Sequence, residues 1–239
     1  MRAGDFEIRL LPTLLVGSLF LGLLWLGTWQ WNKADAKRQL IERFDAAGEP
    51  SPWIDVSEAP ERYSRVSLAG RFWSDRQILM DGMTRNGVPG VNVLTPFETD
   101  RGDVVVVNRG WRTFEGTRSA PLVPDAPDGP RTIVGRVRAF AAPGMRLGEG
   151  NASVKPTWPR LAIYPGAKEI GNWLGRPVAS HLVLLDADVS GGFVREWRPD
   201  GFPPERHIGY AVQWYSLALA LLVLYIAACR HVGRKQERQ

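Results

Sequence analysis

The 239-residue chain has one cysteine, Cys229, and three histidines, His181, His207 and His231. A single cysteine excludes an internal disulfide framework and any Cys-pair copper or zinc site. A three-His metal site would need His231, which the topology derived below puts across a membrane from the other two. The patterns G-x-S-x-G, H-E-x-x-H, C-x-x-C and the P-loop are missing, as are internal repeats and low-complexity tracts. No long basic block exists either. The net charge of +5 is spread along the chain, which argues against a nucleic-acid partner.

Charge is also missing from two long stretches, Leu10–Asn32 and Ile208–Cys229, both rich in Leu. About 20 helical residues rising ~1.5 Å each cross a hydrocarbon core of ~30 Å, so each stretch can span. Such helices satisfy their own backbone hydrogen bonds, which lipid cannot do. Ala34-Asp35-Ala36 has the form of a signal-peptidase site. The first apolar run is nonetheless longer than the roughly 7–15 residues of a cleaved signal core, which favours an anchor.

Flanking charge sets the expected orientation. Arg230, His231, Arg234, Lys235 and Arg238 against Glu237 make a short basic tail that should stay cytoplasmic. Arg2 and Arg9 against Asp5 and Glu7 decide nothing, and Lys33, Lys37 and Arg38 precede a domain long enough to translocate regardless of charge. The expected layout is a cytoplasmic segment 1–9, a span 10–32, an extracytoplasmic domain 33–206, a span 207–229 and a cytoplasmic tail 230–239 in a plasma (inner) membrane.

About 175 residues lie between the spans, a normal size for one domain with its own core. Leu40, Ile41 and Phe44 have helical spacing, so the first helix should run on to about Ala47 and stop at Gly48 and Pro50. Then come strand-like runs: Tyr63–Phe72, Gln77–Met83, Gly90–Phe97, Val104–Arg109, Arg131–Phe140, His181–Asp186 and Phe193–Glu196. Val104–Val107 does not alternate and reads as a central strand buried on both faces. Thr117–Pro130 reads as an extended loop, and Lys168–Leu174 as one or two helical turns. The fold class is a membrane protein with two transmembrane helices flanking a mainly β domain, barrel- or sandwich-like, with short helices.

Candidate sites are few. Ser180, His181 and Asp186 make a hydrolase triad only on paper, because adjacent strand residues point to opposite faces. His207 opens the second span, with Tyr210, Ala211 and Trp214 on the same helical face. Trp25, Trp29 and Trp31 lie at the corresponding depth of the first span. Two readings fit: an ordinary interfacial aromatic belt, or an imidazole ligand to haem iron among rings that suit a macrocycle. Arg109 can fork onto a carboxylate or propionate, or tie two loops together. Gly110 permits a turn or bulge after the strand, and Trp111 packs as core or rim.

The order of motifs resembles the Surfeit locus protein 1 family, membrane proteins that assist cytochrome c oxidase assembly. The resemblance rests on Gly27-Thr28-Trp29-Gln30 with Lys33 and Lys37, on Arg65–Phe72 (RVSLAGRF), and on Gly87-Val88-Pro89-Gly90. It continues through Thr95-Pro96-Phe97, Val107-Asn108-Arg109-Gly110-Trp111 and Val134–Arg138 (VGRVR) to His207–Ala218 (HIGYAVQWYSLA). Two departures stand out. Arg206 occupies the place before His207 where the family has Asn, and Pro156, Pro159 and Pro165 interrupt the family's middle helical segment. The resemblance implies a non-enzymatic assembly factor that binds haem a or hands it over, with His207 donating to haem iron and Trp29, Tyr210 and Trp214 lining the site. The implied partners are the oxidase catalytic subunit, membrane lipid and, as a further candidate, haem a synthase. A haem-free scaffold for the oxidase core is the alternative.

Overall fold

The computed structural model describes residues 2–3, 6–7, 10–46, 48–58, 60–117, 120–122, 124–140 and 157–236. Asp5, Arg9, Ala47, Pro156, Glu237 and Arg238, used above, lie outside them. In chain order the elements are β1 (Arg2–Ala3), β2 (Phe6–Glu7), α1 (Leu10–Asp45), β3 (Ser51–Pro52), β4 (Arg65–Phe72), β5 (Ile78–Arg85) and β6 (Val88–Thr99). There follow β7 (Val104–Thr113), β8 (Gly116–Thr117), β9 (Ala120–Pro121), β10 (Arg131–Ala139), β11 (Arg160–Ala162), α2 (Ala167–Leu174), β12 (His181–Leu185) and α3 (Pro204–Gln236). They form two compact units. One contains Met1–Asp45 and Pro199–Gln239, the other Ala46–Arg198.

In the helical unit α1 and α3 pack as an antiparallel pair, each long and apolar enough to cross a membrane. α1 continues past its apolar run to Asp45, and α3 starts at Pro204, where proline's missing N–H costs nothing. Small residues are buried at heptad spacing on both helices, Gly27 and Ala34 on α1 and Ala211 and Ala218 on α3. Leu14, Leu19, Leu219 and Leu224 face outward instead, as lipid-facing residues do. Polar side chains cross the seam where lipid would leave them unpaired: Thr13 with Tyr225, and Thr28 with Tyr215 at 3.0 Å. A Cβ on Gly27 would lie 2.7 Å from the Tyr215 ring. Gly27→Val should therefore push the helices apart and reduce disulfide formation between cysteines placed at Thr13 and Tyr225 in a Cys229→Ser background. Undiminished crosslinking would show that the seam does not depend on Gly27.

The other unit is a five-stranded barrel, closed in the order β4-β6-β7-β12-β10 and back to β4. The β7–β12 pair is parallel and the other four are antiparallel. β6 is long enough to pair with β4 near its end and with β5 along its start, so the sheet extends past the barrel through β5 to β11, and β3 adds to β4. The interior is filled by Val66, Leu68, Phe72, Phe97, Val105, Val107, Ile133, Val137, Val183 and Leu185. Val104–Val107 is buried at every position, as its unbroken apolar run requires.

Barrel closure depends on glycine. At the β4–β6 seam a Cβ on Gly70 would sit 2.0 Å from the Glu98 carbonyl oxygen. Beside it Arg71 donates to Glu98 at 3.0 and 3.2 Å, Arg176 at 2.9 Å and the Trp73 indole at 3.3 Å. These hydrogen bonds, Arg71's first, hold the Glu98 carboxyl below the usual carboxylate range. Because the folded value is the lower one, the stabilisation is present above the unfolded carboxylate pKa and is lost as pH falls through the folded value. Both arginines are largely solvated, so this amounts to about 1 kcal/mol or less. Melting temperature should fall less steeply on acidification in Glu98→Gln than in the parent; identical slopes would remove Glu98 from the acid response.

Candidate functional site

The V-N-R-G-W segment resolves into a bulge. Asn92 pairs with Trp111 and Leu94 with Asn108, so Arg109 and Gly110 together oppose Val93. Gly110 has φ +110°, and a Cβ there would lie 2.6 Å from the Val194 carbonyl oxygen. The Gly110 N–H, displaced from the ladder, donates to the Asn108 side-chain oxygen at 3.1 Å. β7 then continues to Thr113, and Trp111 exchanges backbone hydrogen bonds with Val194 at 2.8 and 3.0 Å. The Trp111 indole covers Gly90, where a Cβ would come within 2.5 Å of the ring. The G-x-P-G and V-N-R-G-W motifs thus meet face to face.

The bulge turns Arg109 into the interior, where it is 1% exposed. Its guanidinium donates to the Gly191 carbonyl at 2.7 Å, the Asp125 carbonyl at 2.5 Å, Gln77 Oε1 at 3.1 Å and Thr95 Oγ1 at 3.4 Å. Phe72 and Phe193 lie against its faces at 5.6 and 5.0 Å. Burial, aided by Arg131 and Arg195, pushes its pKa down to about 10, so it stays charged at neutral pH. Of the two roles open to Arg109, the structure shows the tie: it joins the loops at 125 and 191 to β5 and β6. Four of its five N–H groups are committed to protein oxygens, and the side chain is buried.

The paper triad does not assemble. Ser180 lies 3.0 Å from His181 Nδ1, but Asp186 at the far end of β12 is held by Arg65 at 2.6 Å. Among the described residues no cluster of three His, Cys, Asp or Glu suits a metal ion.

His207 sits in the first turn of α3, half-buried, and its Nδ1 lies 2.9 Å from Gln30 Oε1 on α1. With Gln30 Oε1 as the acceptor, this pair is an Nδ1–H···O hydrogen bond that turns the Nε2 edge of the ring away from Gln30. No hydrogen bond to Nε2 occurs among the described residues, and a histidine held through one ring nitrogen suits a ligand to haem iron, so this donor fits such a group. The Phe202 ring lies 6.5 Å from the imidazole, and the Arg206 guanidinium sits 4.1 Å above that ring. Lys37 donates to the carbonyls of Pro199 (2.9 Å) and Asp200, fixing the turn that leads into α3.

Of the expected companions, Trp29 and Tyr210 are 44% and 43% exposed, while Trp214 is half-buried. Lys33 lies 5.7 Å over the Trp29 ring. On α3, Ala211 and Ala218 are buried, whereas Tyr210 is exposed. Gln30 and Phe202 were not singled out from sequence. The available signal for Gln30 was an amide within an otherwise apolar span, at the depth where the second span presents a histidine.

A five-stranded barrel domain lying in sequence between two long apolar helices, with a histidine hydrogen-bonded across the helix pair where the second helix begins, defines the class. The SURF1 family profile matches residues 18–219, and the chain belongs to that family. It is similar to a SURF1-like protein of Monosiga brevicollis, 27% identical over 88% of this chain and 84% of that protein. Surfeit locus protein 1 of Takifugu rubripes is 25% identical over 84% of this chain and 90% of its own length. The cytochrome oxidase assembly protein SHY1 of Saccharomyces cerevisiae is 32% identical over a shorter stretch, 38% of this chain and 25% of that protein.

Proposed function

We propose that this chain is an assembly factor for a haem-copper cytochrome c oxidase, which holds haem a at the outer end of its helix pair and passes it to the catalytic subunit. Family membership and the oxidase-assembly name of the yeast relative support the first half. The single observation that carries the second is His207, held through Nδ1 by Gln30 across the helix pair. When bound, the haem would supply an iron that takes up the Nε2 lone pair. The chain's own work is to fix the imidazole and to offer the flat faces of Trp29, Tyr210 and Trp214 beside it. Their exposure suits a group that a partner must be able to take away. No bond-making step is assigned to the chain, and the basic tail supports a layout with both termini in the cytoplasm.

A haem-free scaffold is the second reading. It is favoured by a surface of the barrel domain where Arg160 lies between Trp158 and Trp173 at 5.1 and 5.0 Å, with Arg76 also over Trp158. Trp and Arg are the residues that most often anchor protein interfaces. Purification from cells making haem a decides between them. The carrier predicts haem bound to the chain; copurification of the catalytic subunit with a colourless chain supports the scaffold and overturns the carrier.

A further inference from the structure

We infer that Gln30 is a positioning residue that sets both the tautomer and the donor strength of His207, so that the bound group is held and then released. This rests on the reading of His207 as a haem ligand. The two residues lie 177 positions apart in sequence, on different helices, yet meet at 2.9 Å, and Gln30 is the amide of the G-T-W-Q segment ending the first apolar run.

A metal-bound histidine usually donates its second N–H to a carboxylate, a backbone carbonyl or water, and the choice tunes ligand basicity. A carboxylate draws strongly on the Nδ1 proton and makes Nε2 a stronger donor. A carboxamide oxygen carries no charge, fixes the proton on Nδ1 equally well and draws on it less. Gln30 thus gives directionality without maximal affinity. For a protein whose cargo must move on, the weaker partner is the useful one. Glutamate would occupy the same reach as Gln30 but would convert the site toward retention. Leucine would fill the space and leave the imidazole free to exchange tautomers.

The test uses the full chain in detergent with ¹⁵N-labelled histidine, the His207 signals being identified by their loss in His207→Ala. In the haem-free protein the wild type should show a protonated Nδ1 and a bare Nε2, and Gln30→Leu a mixture of tautomers. Ferric haem is then added, and its release to an excess of apomyoglobin is timed. Gln30→Leu should bind roughly 10- to 100-fold more weakly, and Gln30→Glu should release haem roughly tenfold more slowly. If haem binds but neither its affinity nor its release differs among the three, Gln30 is not a positioning residue and the haem reading survives. A wild-type imidazole protonated on Nε2 overturns the inference directly. If no variant binds haem, the underlying reading falls, and the donor role of Gln30 with it. Gln30→Glu keeps the inference testable if Gln30→Leu does not fold.

Discussion

Replacing Arg109 with leucine is expected to destabilise the barrel domain by ~3–5 kcal/mol, enough to unfold much of it at 37 °C. The leucine removes the only charged group of a buried network but leaves its acceptors behind. The carbonyls of Gly191 and Asp125 and the side-chain oxygen of Gln77 would lose their donor. Each buried acceptor left without a partner costs ~1–3 kcal/mol, whereas whole domains are stable by only ~5–15 kcal/mol. Replacing a buried ion by an apolar residue can be neutral when every partner is replaced with it, but the Gly191 and Asp125 carbonyls are backbone and cannot be. Lysine is expected to recover only part of the loss, because one ammonium cannot fork onto oxygens on β5, β6 and two loops. The charge is costly wherever the site is protonated, and by linkage that cost would ease only as pH rises from about 10 toward the ordinary guanidinium value. Near-UV circular dichroism of the full chain through a urea titration measures all three proteins. Coincident transitions for Arg109→Leu and the parent would show that the network does not hold the barrel.

His207→Ala should have the largest functional effect and almost none on folding. The imidazole is half-buried at the start of α3, and its removal leaves Gln30 able to turn toward water or headgroups. The helix seam retains Gly27, Ala34, Ala211 and Ala218 and the Thr28–Tyr215 hydrogen bond. In cells where this copy replaces the parent, the a-type haem absorbance of the membranes should fall roughly tenfold or more, since outer partners of a metal ligand alone are worth 10- to 100-fold. The amount of the chain in the membrane should be unchanged. An unchanged absorbance at normal expression would remove His207 from haem delivery.

Most of the barrel was legible because its strands announce themselves locally. Val104–Val107 has too many consecutive β-branched residues to be an exposed strand, and Gly110 marked the bulge. The strand was expected to end at Arg109, with a turn or bulge at Gly110. Asn108 supplies the displaced Gly110 N–H with a partner, and the ladder resumes to Thr113. Phe193–Glu196 has strand composition but only Val194 forms a bridge. Arg195 folds back onto the carbonyls of Asp186, Ala187 and Val189, which bends the chain out of extended form. β11 was missed because three residues beside Pro159 carry no period, and its pairing with β5 is a tertiary fact. Likewise the convergence of Phe72, Gln77 and Thr95 on Arg109 follows from closure, which no local pattern encodes. His207 was legible as chemistry out of place at a membrane surface. Its partner was not, since the hydrogen bond to Gln30 exists only once the helices pair.

The visible spectrum of the detergent-purified chain, made in cells that synthesise haem a and compared with His207→Ala, tests the account most directly. Wild-type protein should show a Soret band that shifts or disappears in the variant, while the far-ultraviolet spectra of the two stay superimposable. A wild-type chain with no Soret band, or an identical band in both proteins, would contradict the assignment of haem to His207.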